Sequence, residues 1–194
     1  MIRFVCSLVG GLLLAATCGI AQAITINDTF TATTPTTTQT GRLFRDGLPG
    51  TCSGKVEPAV FDAVAHRYNS YAVQNNGAAA CVTVDVVTQA GCTSSIFVVA
   101  YTPSFNPANI VPNYLSDNGF GNNGGADTAF SFIAPANSTV VLDVAESGGA
   151  GVCNYTLQVN GLSNVVPTTS EWGLALLALI LGSAAFLVIR RRGR

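Results

Sequence analysis

The sequence predicts an all-β body, an antiparallel β-sandwich, flanked by an N-terminal signal helix and a C-terminal transmembrane helix. Three observations lead there. Short runs of Val, Ile, Thr, Tyr and Phe recur about 8–12 residues apart, with Gly, Pro and Asn turns between them. No stretch of the body sustains a helical apolar period with caps. Each end of the chain carries an uncharged apolar run instead.

Residues 1–23 read as a secretory signal peptide. Arg3 gives the positive start, Phe4 to Ala16 the apolar core, and Ala21-Gln22-Ala23 an A-x-A cleavage site, so the mature chain should begin near Ile24. Residues 24–41 form a threonine-rich lead-in around Pro35, extended and in part an edge strand. The sandwich is placed at 42–164. Gly41 to Arg45 is a first short strand, and Cys52 to Asp62 is loop. Tyr68 to Val73 alternates loosely. Cys81 to Val87 alternates well, with Val82, Val84 and Val86 on one face and Cys81, Thr83 and Asp85 on the other. The continuous apolar run Ile96 to Ala100 reads as a central strand, and residues 103–112 as loop. Asp117 to Asp127, with four glycines, reads as a long flexible loop. Ala129 to Ile133 and Thr139 to Val144 read as a hairpin about Pro135-Ala136-Asn137. Cys153 to Val159 closes the body, with Cys153, Tyr155, Leu157 and Val159 on one face.

The body is acidic. Arg42, Arg45, Lys55 and Arg67 stand against Asp28, Asp46, Glu57, Asp62, Asp85, Asp117, Asp127, Asp143 and Glu146, four basic groups against nine acidic, for a net charge of −5. That removes any electrostatic case for binding nucleic acid. Of six cysteines, Cys6 and Cys18 fall in the signal peptide, leaving Cys52, Cys81, Cys92 and Cys153. An even number in an exported body implies disulfides. A disulfide needs Cα atoms within about 7 Å. Cys81 lies roughly 20 Å along its strand from the position opposite Cys92. Cys153 shares an inward face and Cys81 an outward one. The pairs that remain are Cys52–Cys81 and Cys92–Cys153.

No catalytic constellation emerges. His66 is the one histidine in the chain; it lies beside Arg67, with no Gly-x-Ser-x-Gly elbow and no free thiol to serve, and reads as a solvated loop residue. Asp143 and Glu146 read as a surface pair. Asp117, Asn118, Asn122, Asn123 and Asp127 are oxygen ligands in a glycine-rich loop, a calcium candidate that matches no EF-hand spacing; otherwise no cofactor is expected. Any aromatic platform for a sugar must use Tyr68, Tyr71, Tyr101 or Tyr114.

Residues 165–194 form a tripartite tail. The polar motif Val166-Pro167-Thr168-Thr169-Ser170-Glu171-Trp172-Gly173 comes first. An uncharged run over 172–189 follows, roughly 27 Å long as a helix, against a hydrocarbon core of about 30 Å. Arg190, Arg191, Arg192 and Arg194 end it, a basic stop that sets the orientation N-out and C-in. This tail resembles the exosortase-type C-terminal sorting signals of Gram-negative bacteria, in the class whose motif reads Ile-Pro-Thr-Leu followed by Ser-Glu-Trp-Gly. Six of the eight positions match; Val166 and Thr169 are the departures. The run from Phe130 through Val144, with Tyr155 to Val159, resembles the end of prepeptidase C-terminal-type domains, which implies a jelly-roll-like sandwich.

The resemblance implies an exported, non-enzymatic envelope or matrix protein, handled by the secretion machinery, signal peptidase and an exosortase-like enzyme. It would be held for a time in the inner membrane and then reach the envelope, surface or matrix, with a link to exopolysaccharide. An adhesin or carbohydrate-binding module using residues 103–127 is the alternative, and a secreted hydrolase the third reading.

Overall fold

The computed structural model describes residues 20–31, 37–125, 127–147, 151–164 and 178–181. Nine strands form two antiparallel sheets. They are β1 (Ile20–Phe30), β2 (Thr38–Leu43), β3 (Val60–Asn75), β4 (Ala80–Thr88), β5 (Ile96–Tyr101), β6 (Tyr114–Asp117), β7 (Asp127–Ala134), β8 (Ser138–Glu146) and β9 (Cys153–Asn164). One sheet has the order β1-β9-β4-β7 and the other β2-β3-β8-β5-β6. The all-β sandwich is as the residue pattern predicts.

The core follows from alternation. On β4, Val82, Val84 and Val86 are fully buried while Cys81 is exposed. They meet Phe130, Phe132, Val140, Leu142, Val144, Tyr155, Leu157 and Val159 between the sheets. Fully burying each such side chain contributes about 1.5–3 kcal/mol. Strand β5 is buried at all six positions because both its faces are covered. Ile96, Val98 and Ala100 face the inter-sheet core. Phe97, Val99 and Tyr101 face a second cluster with Leu43 and Ile110, on the outer side of the five-stranded sheet. A strand packed on both faces loses the period-two pattern and reads as a continuous apolar run.

Both expected disulfides are present, Cys52–Cys81 with Cα atoms 5.6 Å apart and Cys92–Cys153 at 4.0 Å. Cys153 points into the core and Cys81 away from it, which is why these two cannot meet.

Several expectations need correction. The lead-in, expected to be in part an edge strand, supplies two, β1 and β2, one in each sheet, so the strands begin before residue 42. Residues 20–23 are strand rather than signal helix, because β9 is long enough to pair with them, Ile20 opposite Asn164. Residues 1–19 lie outside the described residues. Strand β3 starts at Val60, within the expected loop. It runs 16 residues, the first half paired with β2 and the second with β8. β7 and β8 are not a hairpin: β7 pairs with β4 and β8 with β3 and β5, so the turn at Pro135 crosses between sheets. Among the described residues no helix is long and apolar enough to cross a membrane. Of the expected span 172–189, residues 178–181 are described; they are helical and exposed.

Candidate functional site

The loop expected to be flexible is held from within. Asp117, Asn118 and Asn122 are wholly buried. Asp117 Oδ1 accepts from Lys55 Nζ at 2.7 Å and from the Gly119 N–H at 2.6 Å, and Oδ2 accepts from the Tyr114 hydroxyl at 2.6 Å. Asn118 Oδ1 accepts from the Val98 N–H at 3.1 Å, while its amide donates to Asn122 Oδ1 and Thr128 Oγ1 at 3.2 Å each. Asn122 donates to the Val86 carbonyl at 3.1 Å, and its backbone bridges Ile96. Gly119 has φ of 72°, and a Cβ there would lie 2.6 Å from the Leu48 backbone, so the close approach of these two loops requires glycine. The oxygens of the calcium candidates thus answer protein donors, with Asn123 and Asp127 exposed apart from the buried three. Among the described residues no group of three or more His, Cys, Asp and Glu side chains could hold a metal.

His66 is not a solvated loop residue. It sits half-buried on β3, Nδ1 3.0 Å from the Glu146 carbonyl and Nε2 2.9 Å from Asp62 Oδ1. Among the described residues no hydrogen bond ties its ring to a serine, threonine or cysteine side chain. Asp143 and Glu146 are not a surface pair either. Both are buried, and they fall on opposite faces of β8. Glu146 forms a two-pronged ion pair with Arg67, which also donates to the carbonyls of Thr31 and Gly151. Burial alone would raise the Glu146 carboxyl, but hydrogen bonds from Arg67, Ser94 and the Gly151 N–H hold it below its ordinary value. Asp143 has no hydrogen-bond partner for either oxygen, and burial pushes its carboxyl well above the ordinary range, against a smaller opposing pull from Gln39.

Of the four candidate tyrosines, Tyr101 is buried, Tyr114 is committed to Asp117, and Tyr68 packs edge-on against Phe105 with ring centroids 5.3 Å apart. Tyr71 lines a groove. This groove, of about 500 Å³, lies where the two sheets part, between β1 and the second half of β3. Ile24 and Ile26 form one wall, and Ser70, Tyr71, Ala72, Val73 and Gln74 the other. At one end the Tyr71 hydroxyl donates to Asp28 Oδ2 and lies 2.6 Å from the Tyr155 hydroxyl. The Asn69 amide donates to Tyr155 Oη at 2.8 Å and to Asp28 Oδ2 at 3.4 Å. Burial, then the bond to Asp28, push the Tyr71 phenol far above its ordinary value, and burial pushes Tyr155 up to about 12. Both phenols therefore remain protonated at physiological pH. The arrangement offers apolar contact and hydrogen bonds.

Sequence reasoning missed this groove. Its walls come from Ile24 and Ile26 on one strand and residues 70–74 on another, so no local motif marks it.

The sorting motif at 166–173 and the arginines at 190–194 lie outside the described residues. Of the cleavage positions, Ala23 is exposed on β1, at a register shift between Gln22 and Ile24. Strand β9 ends at Asn164, and the backbone of Ser163 before it bonds Asn75 Oδ1 and the Asn76 N–H. Residues 166–193 match the family model described as the IPTL-CTERM motif. The match is confined to the tail and does not extend to the likeness of the body to prepeptidase C-terminal-type domains. No curated protein matches the chain.

Proposed function

We propose that the chain is an exported, non-enzymatic cell-envelope protein whose body is delivered by a removable C-terminal address. The observation that carries this is the IPTL-CTERM motif at 166–193. Such a signal implies an exosortase-like processing enzyme and export to the envelope. The two disulfides agree with an oxidising compartment. On this reading residues 1–23 are removed by signal peptidase. Cleavage after Ala23 removes the pairs of Ile20, Ala21 and Gln22 with Asn164, Ser163 and Leu162 and leaves β1 paired with β9 from Ile24 opposite Val159 to Phe30 opposite Cys153. Residues 172–189 then hold the chain in the inner membrane, N-out and C-in, until the motif is cut. The acidic, disulfide-linked sandwich remains in the envelope, at the surface or in an exopolysaccharide matrix.

The adhesin reading loses support at its chosen loop, since Asn118 and Asn122 are interior and Ile110 roofs the second cluster. A hydrolase reading has no His66-linked nucleophile to build on among the described residues. The test is a producing strain that lacks the exosortase-like enzyme. Full-length chain should accumulate in the inner-membrane fraction there, and a shorter chain should appear in the envelope or medium of the parent. Identical length and distribution in the two strains would overturn the proposal. Substituting Pro167→Ala in the parent should reproduce the accumulation.

A further inference from the structure

Among the described residues, strand β3 has an unpaired half-lane along its outer edge. The Tyr68 N–H donates to the Thr37 carbonyl at 3.2 Å, and the Thr37 hydroxyl donates to the Tyr68 carbonyl at 3.1 Å. The backbone groups of Tyr68 therefore point toward the β2 side. Successive residues of a strand alternate in this respect, so those of Asn69, Tyr71, Val73 and Asn75 point toward β8, and those of Ser70, Ala72 and Gln74 point the same way as Tyr68. Among the described residues the β2 ladder has no pair beyond that point. Six backbone donors and acceptors on Ser70, Ala72 and Gln74 thus face the groove with no partner strand among the described residues. These are three of the residues that line it.

Exposed edges are usually blunted by Lys, Pro, a bulge or an inward charge. Residues 69–75 read Asn-Ser-Tyr-Ala-Val-Gln-Asn, without charge or proline, and their register with β8 has no shift. Across the lane stand Ile24 and Ile26, which are only partly buried. The lane continues the β2–β3 ladder in line, so its geometry is already that of a strand position. Among the described residues no strand of this chain fills it.

We propose that this lane accepts an extended segment of a partner polypeptide, added as a strand beside Ser70, Ala72 and Gln74. Main-chain hydrogen bonds to these three residues hold the segment. Its alternate side chains turn inward onto Ile24, Ile26 and Tyr71, so apolar or β-branched residues fit at those positions. Its other side chains face solvent. No basic residue lines the groove, and Asp28 at one end favours an uncharged or cationic residue there. The proposal stands apart from the sorting reading, because it concerns the body whether or not the tail is cut.

The test is binding of a blocked synthetic heptapeptide, acetyl-Thr-Val-Thr-Val-Thr-Val-Thr-amide, to the full chain in detergent, followed by isothermal titration calorimetry. Saturable binding is expected. Methylating the amide nitrogens of alternate residues in the peptide, on one of the two edges it can present, should weaken binding at least tenfold and leave the protein unaltered. Ala72→Pro removes one outward N–H without touching the β8 ladder and should weaken binding to a similar extent. Ile26→Asp should do the same through the floor. Absence of binding, or binding indifferent to methylation on either edge, overturns the proposal. So does binding of a neutral oligosaccharide such as cellohexaose that Tyr71→Ala and Asp28→Ala abolish while the peptide has no effect, since that outcome makes the groove a sugar site.

Discussion

Asp143 shows how far one residue can depart from the usual behaviour of its type. It sits on the outer face of β8, directly opposite Val99 and diagonal to Tyr101, with no hydrogen-bond partner for either oxygen. The folded chain therefore holds the Asp143 proton more tightly than the unfolded chain does. The sign follows from linkage: this group is harmless at pH values below the ordinary carboxylate range, and stability is lost as pH rises from there toward the folded value, by up to about 1.4 kcal/mol per pH unit. Asp143→Asn should accordingly raise the melting temperature at pH 7, with the gain shrinking toward zero near pH 4; thermal unfolding across that range reads it. Glu146 has the opposite sense. Its carboxyl is held low by Arg67, so its stabilisation is present at neutral pH and lost as pH falls through its folded value. Glu146→Ala leaves Arg67 without its carboxylate in a largely buried place and should cost about 3 kcal/mol, measured by urea unfolding.

At the scale of elements, the two disulfides divide the work unevenly. Cys52–Cys81 closes 29 residues and Cys92–Cys153 closes 61. Chain entropy assigns them upper values of about 3.6 and about 4.3 kcal/mol. Removing the second pair by Cys92→Ala/Cys153→Ala should destabilise the sandwich more than Cys52→Ala/Cys81→Ala, the more so because Cys153 is fully buried in the core; urea midpoints of the two double variants give the order. These pairings were legible from sequence because β4 and β9 alternate cleanly, which fixes the side to which each cysteine points. Strand β3 was much less legible. From Val60 to Ala65 most of its side chains are exposed on both faces, so no period-two signal exists there. The buried Asn118 and Asn122 were misread for a different reason. Their hydrogen-bond partners belong to Val86 on β4 and Val98 on β5, far away in sequence, and a Gly-Asn run carries no trace of them. β1 was hidden because its first residues coincide with the A-x-A signal.

For the whole molecule, a stable sandwich and an address share one chain, and they meet at Asn164. Strand β9 pairs with β4 up to Asn160 and with β1 up to Asn164. Loss of residues before Ile24 leaves seven residues of β1 in register. The most direct measurement is the intact mass of the protein recovered from the envelope fraction of its producing cell. A chain that starts at Ile24, carries two disulfides and ends within or just before residues 166–173 is the predicted result. A chain that still carries Arg190 to Arg194 in that fraction would contradict it.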